Sequence, residues 1–237
     1  VLNEEKIDID DNITNLWRNN LDFLLEYNYK DVELCVKIDK ARGLFNYFNL
    51  LQSIVPIEIS NAFAISLVID NFLLKRFHNK YIFPTKDRKQ SEKIEGAVVF
   101  EPKPGLHKDV VIFDISSLYP NIIMSFNLSP ETISKNGDYI VDEEHKFVSK
   151  DKYHGLIPKV IEELKTKRSE LKKERDKYER ETSDYIKFDE LQARYKELLN
   201  SLYGVLLYPN FRLFSPTVAE TITKVGREVT KTIKRIF

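Results

Sequence analysis

The first third of the chain carries apolar residues at helical intervals. Leu21, Leu24, Val32 and Val36 recur at spacings that keep them on one face of a helix. Residues 1–75 are therefore predicted to be mostly helical.

Residues 76–105 lose this periodicity and are predicted to link two units. The residues that interrupt them are Pro84, Gly96, Pro102, Pro104 and Gly105. Within the linker, residues 96–100 could form a short strand. Beyond it, residues 110–113 are apolar and β-branched, which predicts a buried strand ending at Asp114.

The remaining pattern predicts a short helix, a hairpin and three long helices. The short helix covers 121–126, after a turn at Tyr119-Pro120, and the hairpin lies within 134–154. The long helices run from Gly155 and Pro158 to about Thr182, from about Phe188 to Leu202, and onward from Ser215-Pro216. Gly204 and Pro209 should break the second of them.

Composition narrows the functional classes without selecting one. Lys plus Arg and Asp plus Glu both total 37, so no global field attracts DNA, and a nucleic-acid role would need local patches. The single Cys35 excludes a disulfide within the chain, which fits a reducing compartment. The acidic N-terminus does not resemble a signal peptide. Residues 62–74 are apolar, but they are too short and too polar to span a membrane.

Asp114 stands where a metal ligand is common, just past the predicted strand and beside a turn. Magnesium favours one or two carboxylates together with phosphate oxygens of a substrate, and a helix N-cap or turn residue is the alternative. A tight turn at Ser116 and Ser117 would form a backbone N–H nest for a triphosphate. Tyr119, fixed before Pro120, could support a sugar with its ring or simply fill the core.

A second group of residues shares one helical face. Its members are Gln192, Lys196, Asn200 and Tyr203, spaced three or four apart. The cation in its middle suits a phosphate, although Lys196 alone could equally lie on a solvated surface. Gly204 permits close approach of another backbone.

The helix that begins near Pro158 carries a basic stripe. It consists of Lys165, Arg168, Lys172 and Arg175, interleaved with Glu162, Glu163, Glu170 and Glu174. A salt-bridged exposed helix is one interpretation. A phosphate grip is the other, because the planar fork of arginine binds phosphate oxygens in pairs.

Two of these strings resemble motifs of family B DNA polymerases. Residues 113–123, Phe-Asp-Ile-Ser-Ser-Leu-Tyr-Pro-Asn-Ile-Ile, look like motif A, and Asn-Leu-Ser-Pro-Glu-Thr at 127–132 extends the match. Residues 196–204, Lys-Glu-Leu-Leu-Asn-Ser-Leu-Tyr-Gly, resemble motif B. The chain is similar to the branch containing the T-even bacteriophage replicative polymerases.

The resemblance implies a role for each matching residue. Asp114, a metal ligand, and Lys196, which contacts the triphosphate, would be catalytic, and Tyr119 aligns with the steric gate that excludes a 2′-hydroxyl. Nucleotide contacts are implied for Ser117, Leu118, Tyr119, Arg168, Lys172, Lys196 and Asn200. Contacts with the nascent base pair or the template are implied for Tyr203 and Gly204.

Three further fragments resemble the same family. Tyr27 and Asp31 match the third exonuclease motif, in which the Asp binds metal and the Tyr orients water. Gly96-Ala97 match the linker between exonuclease and polymerase units, although Ile94 and Glu95 stand where a Tyr is frequent. Residues 219–227 match the helix that leads back into the palm.

The implied fold class is α+β and predominantly helical: a partial palm strand and hairpin plus two antiparallel fingers helices, preceded by a helical exonuclease remnant. The implied domains are the C-terminal part of a 3′–5′ exonuclease (1–75), a linker (76–105), the N-terminal palm with motif A (106–154), the fingers with motif B (155–204) and a return helix (205–237).

The resemblance implies template-directed addition of dNTPs to a primer 3′ end by two-metal phosphoryl transfer, with two Mg²⁺ ions in the complete enzyme. The family's motif C, Tyr-Gly-Asp-Thr-Asp-Ser, does not occur in the sequence. The chain is therefore expected to be a fragment that is inactive alone and needs a C-terminal palm and thumb segment.

The expected partners are dNTP and primer-template DNA, without a membrane. The expected location is the cytoplasm, or the host cytoplasm for a viral protein. The alternative is a non-catalytic nucleotide- or DNA-binding module, such as one chain of a split polymerase.

Overall fold

Helices dominate the computed structural model, which describes residues 2, 4–87, 90 and 94–236. Within those residues eight α-helices accompany one two-stranded antiparallel sheet, which confirms the predominantly helical α+β class. The chain folds as two compact units, residues 1–54 and 55–237. No helix in the described part of the chain is long and apolar enough to cross a membrane.

The first unit contains three helices, α1 (Ile13–Asn19), α2 (Leu21–Arg42) and α3 (Leu44–Ile54). Asn12 caps α1 by accepting a 2.7 Å hydrogen bond from the Asn15 N–H. Gly43 ends α2 in the left-handed conformation at φ +61°, which glycine adopts without a steric penalty. These helices confirm the helical prediction for this part of the chain.

The second unit contains five helices and the sheet. Its elements are α4 (Ile65–Phe77), α5 (Leu118–Ser125), β1 (Tyr139–Ile140), β2 (Lys146–Phe147), α6 (Leu156–Arg175), α7 (Ser183–Val205) and α8 (Pro216–Ile236). Strands β1 and β2 pair antiparallel, Tyr139 opposite Phe147, so the predicted hairpin is confirmed.

Helices α6 and α7 form an antiparallel pair. Arg168 on α6 contacts Gln192 on α7, and Arg175, seven residues later, contacts Asp189. The contacts therefore run in opposite directions along the two helices. Apolar side chains of this pair and of α8 form part of the hydrophobic core. The fully buried ones include Val160, Ile161, Leu164, Leu202 and Ile222.

The buried strand predicted at 110–113 is wrong. These residues are not part of a sheet, and Ile112 is 88% exposed. A strand needs a neighbouring strand to bond its N–H and C=O groups, and the described sheet contains only β1 and β2. The strand considered at 96–100 is likewise absent from that segment, which is extended without pairing.

The predicted boundaries of the long helices also need correction. Helix α6 ends at Arg175 rather than near Thr182, and α7 begins at Ser183 rather than Phe188. Glu181 adopts φ +72° in the turn, and the Thr182 hydroxyl caps α7 by accepting from the Tyr185 N–H at 3.3 Å. Gly204 does not break α7 but lies inside its last turn.

The hairpin is tied to α8 through a half-buried acidic residue. The Asp142 carboxylate accepts hydrogen bonds from the Lys224 ammonium on α8 and from His145 Nδ1 at 2.8 Å. Burial raises the Asp142 pKa, but the bonds from Lys224 and His145 outweigh it and hold that pKa well below 3.8.

This ion pair predicts a loss of stability in acid. Because the folded-state pKa of Asp142 is lowered, its contribution is complete above the ordinary pKa of 3.8 and is lost as the pH falls below it. We expect the free energy of unfolding to fall by about 1 kcal/mol from this group, measured by urea denaturation between about pH 5 and pH 2. Asp142→Asn should show a smaller pH dependence over that range. Identical profiles for the variant and the parent would contradict the assignment.

Candidate functional site

The start of α5 places the motif A residues at the surface of the second unit. Ser117 adopts φ +53° immediately before α5, a turn that brings Tyr119 into the first helical turn. The Asn121 side chain secures this turn, because its Nδ2 donates to the Ser116 carbonyl at 2.9 Å. The first N–H groups of a helix have no intrahelical acceptor, so this turn can present donors to an anion.

The C-terminal half of α7 carries the motif B residues. Together the two motifs line one cleft of about 360 Å³. Its walls are Ser117, Leu118, Tyr119, Pro120 and Ile123 from the α5 region and Leu199, Asn200 and Tyr203 from α7. Five residues predicted from separate strings, about 80 positions apart in sequence, therefore meet at one site.

Two tyrosine rings meet in this cleft. The ring centroids of Tyr119 and Tyr203 lie 4.7 Å apart, with their planes tilted by 52°. Burial raises the pKa of Tyr203, and the neighbouring Tyr119 raises it further. The Tyr203 phenol is therefore neutral near pH 7. The two rings offer flat apolar faces with hydroxyl groups at their rims.

Cationic side chains lie along the adjoining part of the helix pair. Lys196 is exposed on α7, one turn before Asn200. Arg168 projects from α6, and its Nε donates to Gln192 Oε1 at 3.1 Å. Lys172 follows Arg168 by one turn and is exposed. None of these three lines the cleft itself, but Gln192 fixes Arg168 beside the helical face that carries Lys196.

Asp114 lies outside the cleft lining, on the extended segment before α5. It is exposed, and it makes no hydrogen bond or ion pair with another described residue. Over the described ranges, no three His, Cys, Asp or Glu residues are grouped so that they could hold a metal ion. A two-metal phosphoryl-transfer site needs more than one carboxylate, so this donor set does not fit that site by itself.

The residues after α5 have a role that the sequence did not reveal. Asn127, with φ +52°, is fully buried. Its Nδ2 donates to the carbonyls of Val148 and Tyr153, each at 2.8 Å, and its Oδ1 accepts from the Gly155 N–H at 2.9 Å. One side chain thus joins α5, the hairpin and the start of α6.

Two neighbours of Asn127 complete the cap of α6. Glu131 Oε1 accepts from the Leu156 N–H at 2.6 Å, and Ser129 Oγ accepts from the Ile157 N–H at 3.3 Å. These bonds satisfy N–H groups that no residue within the helix can reach. The string at 127–132 therefore anchors the helix that carries Arg168. The three capping side chains lie 25 to 28 positions away in sequence from the N–H groups that they bind. Periodicity within one helix gives no indication of such contacts.

A further tie joins α5 to α6. Lys165 Nζ donates to Asn121 Oδ1 at 2.6 Å. Since Asn121 also holds the Ser116 carbonyl, one amide links the turn before Tyr119 to the helix that carries Arg168. Lys165, predicted as part of the basic stripe, is thus occupied by an internal bond.

In the first unit, Tyr27 and Asp31 both lie on α2. Lys6 Nζ is 3.1 Å from Asp31 Oδ1, and this pairing raises the Lys6 pKa. The exonuclease assignment of Tyr27 and Asp31 stays a prediction.

The segment around Gly96 is held by α8. Thr223 Oγ1 donates to the Glu95 carbonyl at 2.9 Å, and Arg227 Nη1 donates to the carbonyls of Glu95 and Gly96 at 2.9 and 2.8 Å. The predicted linker is therefore attached to the helix that flanks the cleft.

Comparison with known proteins covers most of the chain. Residues 62–237 match the model of DNA polymerase family B. A family B DNA polymerase from the archaeon Pyrobaculum calidifontis has a similar structure, with a TM-score of 0.74 and 26% sequence identity over 98% of this chain and 32% of that one.

Similar sequences include archaeal DNA polymerases. DNA polymerase 2 of Aeropyrum pernix is 30% identical over 162 residues, which are 65% of this chain and 20% of that protein. The DNA polymerase of Pyrococcus glycovorans is 29% identical over 232 residues, 91% of this chain and 29% of that protein. The chain thus spans between a fifth and a third of the length of these relatives.

Proposed function

The chain belongs to DNA polymerase family B, and from this premise we propose that it forms the nucleotide-binding region of a DNA-directed DNA polymerase. The observation that carries the proposal is the cleft in which Ser117, Leu118 and Tyr119 meet Asn200 and Tyr203. Its two walls come from the strings that resemble motifs A and B. A cleft with a flat ring on each wall and cations beside it suits a nucleoside triphosphate.

In this proposal each part of the nucleotide contacts a different part of the cleft or of the helix pair beside it. The Tyr119 ring supports the deoxyribose and excludes a 2′-hydroxyl, while Tyr203 and Gly204 face the nascent base pair. The triphosphate extends toward the cations and amides of the helix pair, which are Arg168, Lys172, Lys196 and Asn200. Arginine and lysine stabilise phosphate oxygens through charge-assisted hydrogen bonds.

In the proposed reaction a primer 3′-hydroxyl loses its proton to solvent and attacks the α-phosphate. A P–O bond to the primer oxygen forms, the bond between the α-phosphorus and the oxygen that bridges to the β-phosphate breaks, and pyrophosphate leaves with that oxygen. Lys196 and Arg168 stabilise the negative charge that develops on the phosphates as the bridging bond breaks. In a complete enzyme two Mg²⁺ ions would activate the hydroxyl and neutralise the phosphates. Asp114 would contribute one carboxylate to their coordination.

The proposal predicts binding without chemistry for these 237 residues. We expect the chain to bind dATP, measured by isothermal titration calorimetry, but not to extend a primer annealed to a template in the presence of Mg²⁺ and all four dNTPs. The reason is that a single carboxylate cannot position two metal ions. Measurable template-dependent extension would show that further carboxylates are not needed.

A second candidate is a non-catalytic nucleotide- or DNA-binding module. It is favoured because, among the described residues, no three His, Cys, Asp or Glu side chains are grouped so that they could hold a metal ion. Adding a second polypeptide that carries the remaining family carboxylates distinguishes the two candidates. Restored extension supports one chain of a split polymerase, and binding without rescue supports the module.

The finer assignments are also proposals. The similarity of the motif strings supports the branch containing the T-even bacteriophage polymerases. The motif strings also support palm at 106–154 and fingers at 155–204, and residues 219–227 support a return into the palm at 205–237. The Tyr27 and Asp31 match supports an exonuclease remnant at 1–75, and the Gly96-Ala97 match supports a linker at 76–105. The proposed partners are dNTP, primer-template DNA and a palm and thumb segment. A cytoplasmic location, that of the host for a viral protein, follows from this role.

A further inference from the structure

We propose that Gly226 on α8 is a specificity-determining residue, because it leaves the space in which the Tyr119 ring rests and so sets the clearance below the sugar. This inference deepens the proposed nucleotide site and rests on it. Gly226 does not line the cleft, so it would act only through Tyr119.

The Tyr119 ring lies close against the backbone of α8. A Cβ at Gly226 would stand 3.2 Å from Tyr119 Cε1, and 3.8 and 3.9 Å from side-chain atoms of Ile122 and Leu118. The first distance is shorter than an ordinary carbon–carbon contact of about 3.5–4.0 Å. The Tyr203 ring also lies against Tyr119. The ring of Tyr119 is thus held between α7 and α8.

The backbone of α8 does not itself require glycine at this position. Gly226 lies in the middle of a 21-residue helix, and its φ is not in the left-handed region. Glycine inside a helix is less favourable than alanine, because it loses more backbone freedom on folding. Close approach of the Tyr119 ring is therefore the structural reason for glycine here. Gly204 on α7 differs, because a Cβ there would meet nothing within 4 Å.

Alanine at position 226 would force the ring of Tyr119 away from α8. The ring would then shift against Tyr203 and reduce the space available to a sugar. Ile122 and Leu118 lie at ordinary contact distances from the added Cβ, so the displacement would fall on Tyr119. The helix itself should not be weakened, because alanine is the better helix former.

The test measures the affinities of the 237-residue chain for dATP and ATP by isothermal titration calorimetry. Four proteins are compared: the parent, Gly226→Ala, Tyr119→Ala and the double variant. We expect Gly226→Ala to weaken dATP binding about tenfold, as overpacking of a close contact does. In the Tyr119→Ala background the same substitution should change the affinity less than about twofold, since the ring it displaces is gone.

Two controls separate local from general effects. Glu228→Ala changes an exposed residue of the same helix and should leave dATP affinity unchanged. Thermal unfolding of Gly226→Ala should show a folded chain. Equal losses in both Tyr119 backgrounds, or no loss in either, would overturn the role of Gly226.

The proposed function has its own readout in the same experiment. Tyr119→Ala should reduce the preference for dATP over ATP. If it changes that ratio while Gly226→Ala has no effect, only the inference about Gly226 fails. If the parent binds neither nucleotide, or Tyr119→Ala leaves the ratio unchanged, the proposed site fails and the inference fails with it.

Discussion

Replacing Lys196 by alanine is expected to weaken dATP binding by about 10- to 100-fold. A hydrogen bond to a charged group contributes about 1.5–3 kcal/mol, and each 1.4 kcal/mol is a factor of about ten in affinity. Lys196 is exposed on α7 one turn before Asn200, a residue of the cleft wall. Its ammonium makes no ion pair with another described residue. It is therefore available to a triphosphate.

The loss should depend on the phosphates. Isothermal titration with dATP and with deoxyadenosine tests whether the lost affinity comes from phosphate contacts, because only dATP carries the phosphates that Lys196 would bind. Lys187→Ala provides a matched control, since it removes an exposed lysine from the same helix far from the cleft. Equal losses for dATP and deoxyadenosine, or an equal effect of Lys187→Ala, would remove Lys196 from the phosphate site.

Replacing Asn127 by alanine should destabilise the second unit by about 3–5 kcal/mol. The change removes three hydrogen bonds and leaves the Val148 and Tyr153 carbonyls and the Gly155 N–H without their partner. Each lost bond costs about 0.5–1.5 kcal/mol, and buried groups left unsatisfied cost more. Urea denaturation followed by circular dichroism measures the effect.

Two variants divide this effect into its causes. Asn127→Gly removes the same amide but relieves the cost of φ +52°, which is about 1 kcal/mol for a residue with a Cβ. It should therefore be slightly less destabilising than Asn127→Ala. Asn136→Ala changes an exposed asparagine and should alter the free energy of unfolding by less than about 0.5 kcal/mol. A small effect at Asn127 would show that its bonds do not anchor α6.

Helices were the most predictable part of the fold. The intervals of apolar residues in α2, α7 and α8 are local features, so the sequence contains them in full. The helix ends were less predictable. The turn between α6 and α7 depends on Glu181 in a positive-φ conformation and on the Thr182 cap, and neither is visible as a break in the charged pattern.

The strand predicted at 110–113 was the least predictable part of the fold, and the structure does not contain it. Its β-branched residues have the composition of a buried strand, but burial depends on partners that local composition does not specify. In the described residues the segment has no neighbouring strand, and its side chains are exposed. An apolar run by itself therefore predicts a tendency and not a position in a sheet.

For the site residues, the sequence indicated which residues belong to the site but not all of the contacts between them. Strings of identifiable residues at 113–123 and 196–204 were sufficient to indicate the family, which the comparison confirms over residues 62–237. The sequence placed Gln192, Lys196, Asn200 and Tyr203 on one helical face, because residues three and four apart are neighbours on any helix. It could not show that Gln192 holds Arg168.

By itself, the sequence determined the helices, the family and the types of side chain available to a nucleotide. Only the tertiary structure decided that Tyr119 meets Tyr203, that Asn127 caps α6 and that Gly226 leaves room for the Tyr119 ring. The physical reason is that periodicity and motif spacing describe contacts within one element. Contacts between residues some 30 to 110 positions apart arise only when the elements pack together.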